Sequence, residues 1–344
     1  NLTHMGEFEM MKKTTSALAI AALLGTGAAS AATFQVNDET VMSIAGDFQM
    51  KYEDVNDRVG NGSTSFKDNS SSLVFSGETV HSNGLTTDFN LDFDGFDTVE
   101  KGSNPGVDEA SIGVSGAFGE VRIGSEGSAY DKYADVVDIA ENVGVYNIAP
   151  GDKDRIIQYN TSVSGIDVTI EAQRNGDRDA AGTSTSGTSF AGGLSYSTGM
   201  LTLSAAYDTR ANDEDDPIYG LAASFDLSPM TVTLSYQKDD LTANEAEITA
   251  LVFDYDYGMG NLYGALQGVS FDSAPQSADL VGDDGEDVAG DAISGAESDD
   301  SFTQYLVGAN FNVTSNMYVY GEMAALDADE DVGDSLTVGA VYKF

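Results

Sequence analysis

The sequence predicts an all-β fold: a transmembrane antiparallel β-barrel of 16 strands, with short periplasmic turns on one rim and long external loops on the other. Three observations lead there. Segments of roughly ten residues alternate apolar with polar or small side chains, so each carries one greasy and one wet face. The connections between them are alternately tight and long. No segment after the first 31 residues offers the 18 or more consecutive apolar residues of a helical span.

The elements follow in order. Met11-Lys12-Lys13 is a short basic start, and Ala17 to Leu24 is an apolar stretch too short to cross a bilayer. Ala29-Ser30-Ala31 is a small-x-small exit, so residues 1–31 read as upstream residues plus a cleavable export signal, with the mature chain starting at Ala32. A buried N-terminal helix is the alternative. Residues 32–344 then form one barrel domain.

Its strands are expected at 42–53, 71–80, 85–95, 107–117, 119–125, 154–161, 166–174, 189–198, 201–210, 217–227, 230–238, 246–256, 261–271, 301–312, 316–326 and 334–344. Sixteen is an even number, as single-chain bacterial barrels require. In the first strand Ile44, Phe48, Met50 and Tyr52 share one face, with Ser43, Asp47, Gln49, Lys51 and Glu53 on the other. Phe89, Leu91 and Phe93 alternate with Asp88, Asn90, Asp92 and Asp94. In a soluble sandwich the greasy faces would meet in a core. In a barrel they meet lipid, and Asp47, Asp88, Asp92, Asp167, Thr169 and Glu171 line a wet lumen. Tyrosines from Tyr159 to Tyr342, including Tyr196, Tyr207, Tyr255, Tyr263, Tyr318 and Tyr320, recur near segment ends as an aromatic girdle would.

The charge is extreme: 57 acidic against 15 basic residues, a formal net charge of −42. Nucleic acid would be repelled. High-salt adaptation and a cation-attracting vestibule both account for such a surface; the spread of acids over nearly the whole chain favours salt adaptation for the bulk of it. A disordered acidic chain is the third possibility, and the strand pattern argues against it. Cysteine is absent and the two histidines are His4 and His81, so neither disulfides nor a histidine-centred catalytic site is expected. No G-x-S-x-G elbow or phosphate-binding glycine motif occurs. The expectation is no enzyme, no cofactor and no metal site.

Two long connections stand apart. Residues 126–153 hold Tyr133, Val136, Val137 and Ile139, which water-exposed loops have little use for. Folded inward, the segment would bury them and present Asp131, Asp135, Asp138 and Glu141 to the channel, with spacings that suit one face of a short helical turn. An acidic external loop is the alternative. Opposing positive charge would come from Lys51 and Arg122 on the wall; Arg155 shares the parity of Ile157 and Tyr159. Residues 272–300 carry ten carboxylates and no cation, lack the EF-hand spacing, and read as a hydrated external loop.

The run Gly116-Ala117-Phe118-Gly119-Glu120-Val121-Arg122-Ile123-Gly124 and the terminal Val341-Tyr342-Lys343-Phe344, with the Met11-Lys12-Lys13 signal, resemble the general diffusion porins of Gram-negative bacteria, especially the group with Vibrio and neisserial types. The resemblance covers essentially all of residues 32–344. It implies an outer-membrane homotrimer of sixteen-stranded barrels, each pore constricted by an inward third loop. Asp131, Asp135, Asp138 and Glu141 match the acids of that loop, Lys51 and Arg122 are the nearest wall bases, and Phe344 matches the terminal assembly tag. It also implies neighbouring protomers, lipid and lipopolysaccharide as partners. The Pro-Glu-Phe-Gly-type run and the cluster of wall arginines found in many relatives are not evident here. A base-depleted wall implies a cation-preferring or relatively open pore for passive diffusion of ions and small hydrophilic solutes. A substrate-specific channel and a non-conducting adhesin or envelope tether are the alternatives.

Overall fold

A computed structural model describes residues 31–56, 62–99, 105–134, 139–141, 148, 150–174, 188–209, 217–239, 245–271, 301–327 and 334–344. The export signal (save Ala31), Asp135, Asp138 and the acidic segment 272–300 lie outside them.

The strands are β1 (Ala32–Gln35), β2 (Thr40–Asn56), β3 (Gly62–Asp68), β4 (Ser71–Val80), β5 (Thr86–Phe96), β6 (Gly106–Gly116), β7 (Gly119–Gly127), β8 (Asp152–Val163) and β9 (Ile166–Arg174). There follow β10 (Thr188–Thr198), β11 (Leu201–Asp208), β12 (Ile218–Asp226), β13 (Met230–Asp239), β14 (Ala246–Asp256), β15 (Asn261–Phe271), β16 (Ser301–Thr314), β17 (Met317–Leu326) and β18 (Ser335–Lys343). One helical turn, α1 (Asp131–Ala134), lies between β7 and β8.

From β4 to β18 each strand pairs antiparallel with the next, and β2 closes the circuit by pairing with β18 on one edge and β4 on the other. The result is a closed barrel of sixteen strands. Closure satisfies the backbone groups that an open edge would leave bare in hydrocarbon. No described helix is long and apolar enough to cross a membrane; the strands do the crossing.

β1 and β3 stand outside the circuit and were not expected. β1 runs along the lower half of β2, with Ala32 opposite Ile44, just beyond the end of β18, where Phe344 and Gly46 exchange backbone hydrogen bonds of 3.0 and 2.9 Å. β3 covers the upper half of the same strand, Lys67 opposite Lys51. At 17 residues β2 outruns its neighbours, and both additions cover edge that β18 and β4 leave unpaired.

Side-chain parity follows the expected faces. Phe48, Met50, Tyr52, Leu251, Phe253, Tyr305 and Val338 are exposed on the outside, while Ser43, Glu53, Gln158, Thr169 and Gln237 are buried inside. The girdle is smaller than expected. Tyr263 and Tyr320, 2% and 5% exposed, turn inward because they share the parity of Gln267 and Glu322 rather than that of Leu262 and Met323.

Candidate functional site

The inner wall has two unlike halves. From β2 to β9 it carries polar and charged groups, among them Asp47, Lys51, Glu53, Glu78, Asp88, Glu120, Arg122 and Gln158. From β11 to β17 it is richer in apolar groups: Ala206, Ile218, Ala246, Ile248, Ala250, Val252, Ala265, Val269, Phe302, Leu306 and Ala324 are all buried, interleaved with polar groups such as Asp208, Gln237, Gln267 and Glu322. Apolar side chains facing a water-filled lumen would cost hydrophobic free energy, about 25 cal/mol for each Å² exposed. Something has to cover them.

The segment after β7 does so. Tyr130, Tyr133 and Ala134 pack with Ala206, Ile218, Ile248, Val269 and Phe271 in one cluster. Ile139 and Ala140 pack against a second, formed by Ala250, Val252, Tyr263, Ala265, Leu306 and Ala324. Glycines open the seat for α1. A β-carbon on Gly193 would lie 2.1 Å from the Tyr133 ring, and one on Gly220 would lie 2.6 Å from Ala134 Cβ.

Polar contacts fix both ends. Tyr130 donates to Gln237 Oε1 at 3.2 Å, and Tyr133 and Thr169 share a 2.9 Å hydrogen bond. The backbone N–H of Ala129 donates to Glu171 Oε2 at 2.9 Å. On the far wall, Glu141 N–H donates to Glu322 Oε1 at 2.5 Å, Tyr318 donates to the Glu141 carboxylate at 2.7 Å, and Asn69 donates to the Glu141 carbonyl at 2.7 Å. Tyr263 donates to the same Glu322 oxygen at 2.8 Å. Burial raises the Tyr133 hydroxyl above its ordinary range.

These contacts place the expected site residues. Asp131 stands in α1 and lines the open recess, whereas Glu141 lies outside any helix and is tied to the wall. Arg122 is the centre of the charged wall: it donates to Asp88 at 2.6 Å and Glu120 at 2.8 Å, and its Nε lies 3.5 Å from Glu126. Lys51 pairs with Glu53 at 3.3 Å, and Lys67 of β3 meets the same carboxylate. Asp47 accepts from Gln49 at 3.0 Å. Asp92 is half-buried on the inner face of β5, and Asp167 is exposed near the turn before β9.

Glu171 differs from its expected place. It points inward but is only 1% exposed, covered by the incoming segment, and works as an anchor rather than as a solvent-facing charge.

Two bases were missed from sequence. Lys153, 2% exposed, pairs with Asp208 and lies 3.5 Å from Glu171. A register shift opposite Gly124 and Glu126, with Arg155 at φ +58°, turns Lys153 inward and leaves Arg155 outside. Lys132 of α1 donates to Asn160 at 2.9 Å and to Thr169 at 3.1 Å. Burial lowers its ammonium below the usual lysine range, against the upward pull of Glu120, Asp167 and Glu126.

Between α1 and the charged wall lies a recess of about 690 Å³. Glu78, Asp88, Glu109, Glu120, Glu126 and Asp131 line it, with Arg122 and Lys132 as its bases. Among the described residues no group of three or more His, Cys, Asp and Glu is arranged to hold a metal ion.

Comparison with known proteins agrees with this architecture. The sequence profile of the family described as Gram-negative porin matches residues 14–331. The chain is 28% identical to a Halomonas protein called "Monosaccharide porin", over 97% of this chain and 100% of that one. The anion-selective porin of Comamonas acidovorans superposes with a TM-score of 0.66 at 17% identity, covering 89% of this chain and 100% of that one. The trimer form of OmpT, an outer-membrane protein of Vibrio cholerae, gives 0.64 at 12% identity, with the same 89% and 100% coverage.

Proposed function

The chain belongs to the Gram-negative porin family and is a β-barrel of the outer membrane, and on that premise we propose that it is a cation-preferring diffusion channel for ions and small hydrophilic solutes. The observation that carries the preference is the recess beside α1, where six carboxylates face two bases. Cations are concentrated and anions repelled at such a wall. Fold alone does not set the sign, since a porin of the same architecture is described as anion-selective. The segment 126–153 is the constriction, and its apolar seat on β11 to β17 supports that reading.

The working form is a homotrimer in contact with outer-leaflet lipopolysaccharide, by likeness to a relative solved as a trimer. Residues 1–31 are removed on export. Salt adaptation accounts for much of the net charge of −42 that lies away from the pore.

Monosaccharides belong among the solutes, because a relative matched over 97% of the chain carries that name and the recess has room to hold one. Liposomes carrying the refolded protein should swell in isosmotic monosaccharide and progressively less in longer oligosaccharides. Folded barrels that give no swelling would move the assignment to an adhesin or tether.

A further inference from the structure

Glu78 is the odd member of the charged wall. It sits on the inner face of β4, is 7% exposed, and lines the recess beside α1. Its neighbours are engaged. Asp88 and Glu120 hold Arg122 at 2.6 and 2.8 Å. Glu126 accepts from Ser111 at 2.6 Å, and Glu109 accepts the Gly127 N–H at 2.8 Å. The Glu78 carboxylate makes no hydrogen bond or ion pair with any described residue. Directly across the ladder stands Asp88, a second carboxylate on the same face. Like charges directly opposite are destabilising, and of these two carboxylates Arg122 is paired with Asp88 and not with Glu78. A carboxylate without a partner, on a side chain only 7% exposed, is a strong acceptor facing a space that a solute can enter.

We propose that Glu78, with the facing Asp88, is a binding station for an alkylammonium head group on the pore wall. An –NH₃⁺ group has three donors and needs only a few oxygens. The two carboxylates, with the hydroxyls of Ser43 and Ser76 lining the same recess, meet that need. A calcium ion asks for about six to eight oxygens, and no such convergence exists among the described residues. The recess, at about 690 Å³, also has room for the carbon chain behind the head group. The station rests on the channel reading, since it is loaded from the lumen, and it adds a solute class to it.

The test is calorimetric titration of the folded full-length chain in detergent with n-butylammonium chloride. Binding in detergent needs no conduction, so its outcome is separate from whether the barrel is a pore. The expected result is one saturable site per chain, weakened at least about ten-fold in Glu78→Gln and partly restored in Glu78→Asp. On the unaltered chain tetrabutylammonium, which has no N–H donor, should bind at least about ten-fold more weakly than butylammonium. Equal binding of the two cations, or of butylammonium by Glu78→Gln, would overturn the proposal. So would calcium binding at the same site that outcompetes the amine.

Discussion

Gly193 leaves its inner face open for the ring of Tyr133: a β-carbon there would come within 2.1 Å of Cδ2 and 2.7 Å of Cγ. Gly220 does the same for Ala134 and Tyr130. Together they fix how close α1 comes to the wall, and so how much lumen remains on the charged side. Gly193→Ala should push α1 toward the recess, at an overpacking cost of about 1–3 kcal/mol. Single-channel conductance should fall while the barrel stays folded. Unchanged conductance would show that α1 does not bound the pore.

Arg122 offsets three carboxylates at once. Arg122→Ala would leave Asp88, Glu120 and Glu126 without their shared cation. The expected outcome is stronger cation selectivity in a reversal-potential measurement, together with lower resistance to thermal unfolding. A shift toward anions would mean that these carboxylates do not face the permeation path.

Lys153 belongs to a different class of charge. At 2% exposure it bonds Asp208, lies near Glu171 and does not line the recess. Removing one member of a buried ion pair typically costs about 3–5 kcal/mol. Lys153→Met should lower the unfolding temperature measured by heat-modifiable gel migration and leave ion selectivity close to that of the parent.

Tyr318 anchors the inward segment after β7 to the far wall through Glu141. Tyr318→Phe removes one charge-assisted hydrogen bond worth about 1.5–3 kcal/mol. The Glu322 and Asn69 contacts remain. Current noise should increase as the segment loosens, and mean conductance should change little. A quiet trace would place the anchor elsewhere.

Lys132 supplies a pH dependence. Burial lowers its ammonium below the ordinary value of 10.5, so it loses its charge earlier than a free lysine as pH rises. The positive charge is present below that lowered pKa and lost above it. Cation selectivity should therefore increase through the alkaline range, and Lys132→Gln should show the high-pH selectivity throughout.

Alternation made most of the fold legible. The elements β4, β9, β14 and β15 begin and end where the pattern placed them. β3 escaped because its Ser- and Thr-rich start reads as loop, and β1 because four residues carry too little periodicity. Arg122 and Lys51 were found on the correct face by parity. Lys153 was not, because the expected strand began at 154 and left it in the preceding connection, and a bulge there breaks parity without leaving a signature in composition. A signal for the apolar inner wall was present. In β14 the run Ile248 to Phe253 has apolar residues on both faces, which a strand between lipid and water has no use for. Taken with the hydrophobic residues of 126–153, it would have pointed to a covered inner surface. The inward tyrosines, Tyr263 and Tyr320, follow from the same parity count.

If the acid-lined recess is the open path through the lumen, it sets the reversal potential of the refolded protein in a planar bilayer under a potassium chloride gradient. Stepwise conductance with a strongly cation-selective reversal potential is the expected result. Conducting steps with a reversal potential near zero or of anionic sign would contradict it.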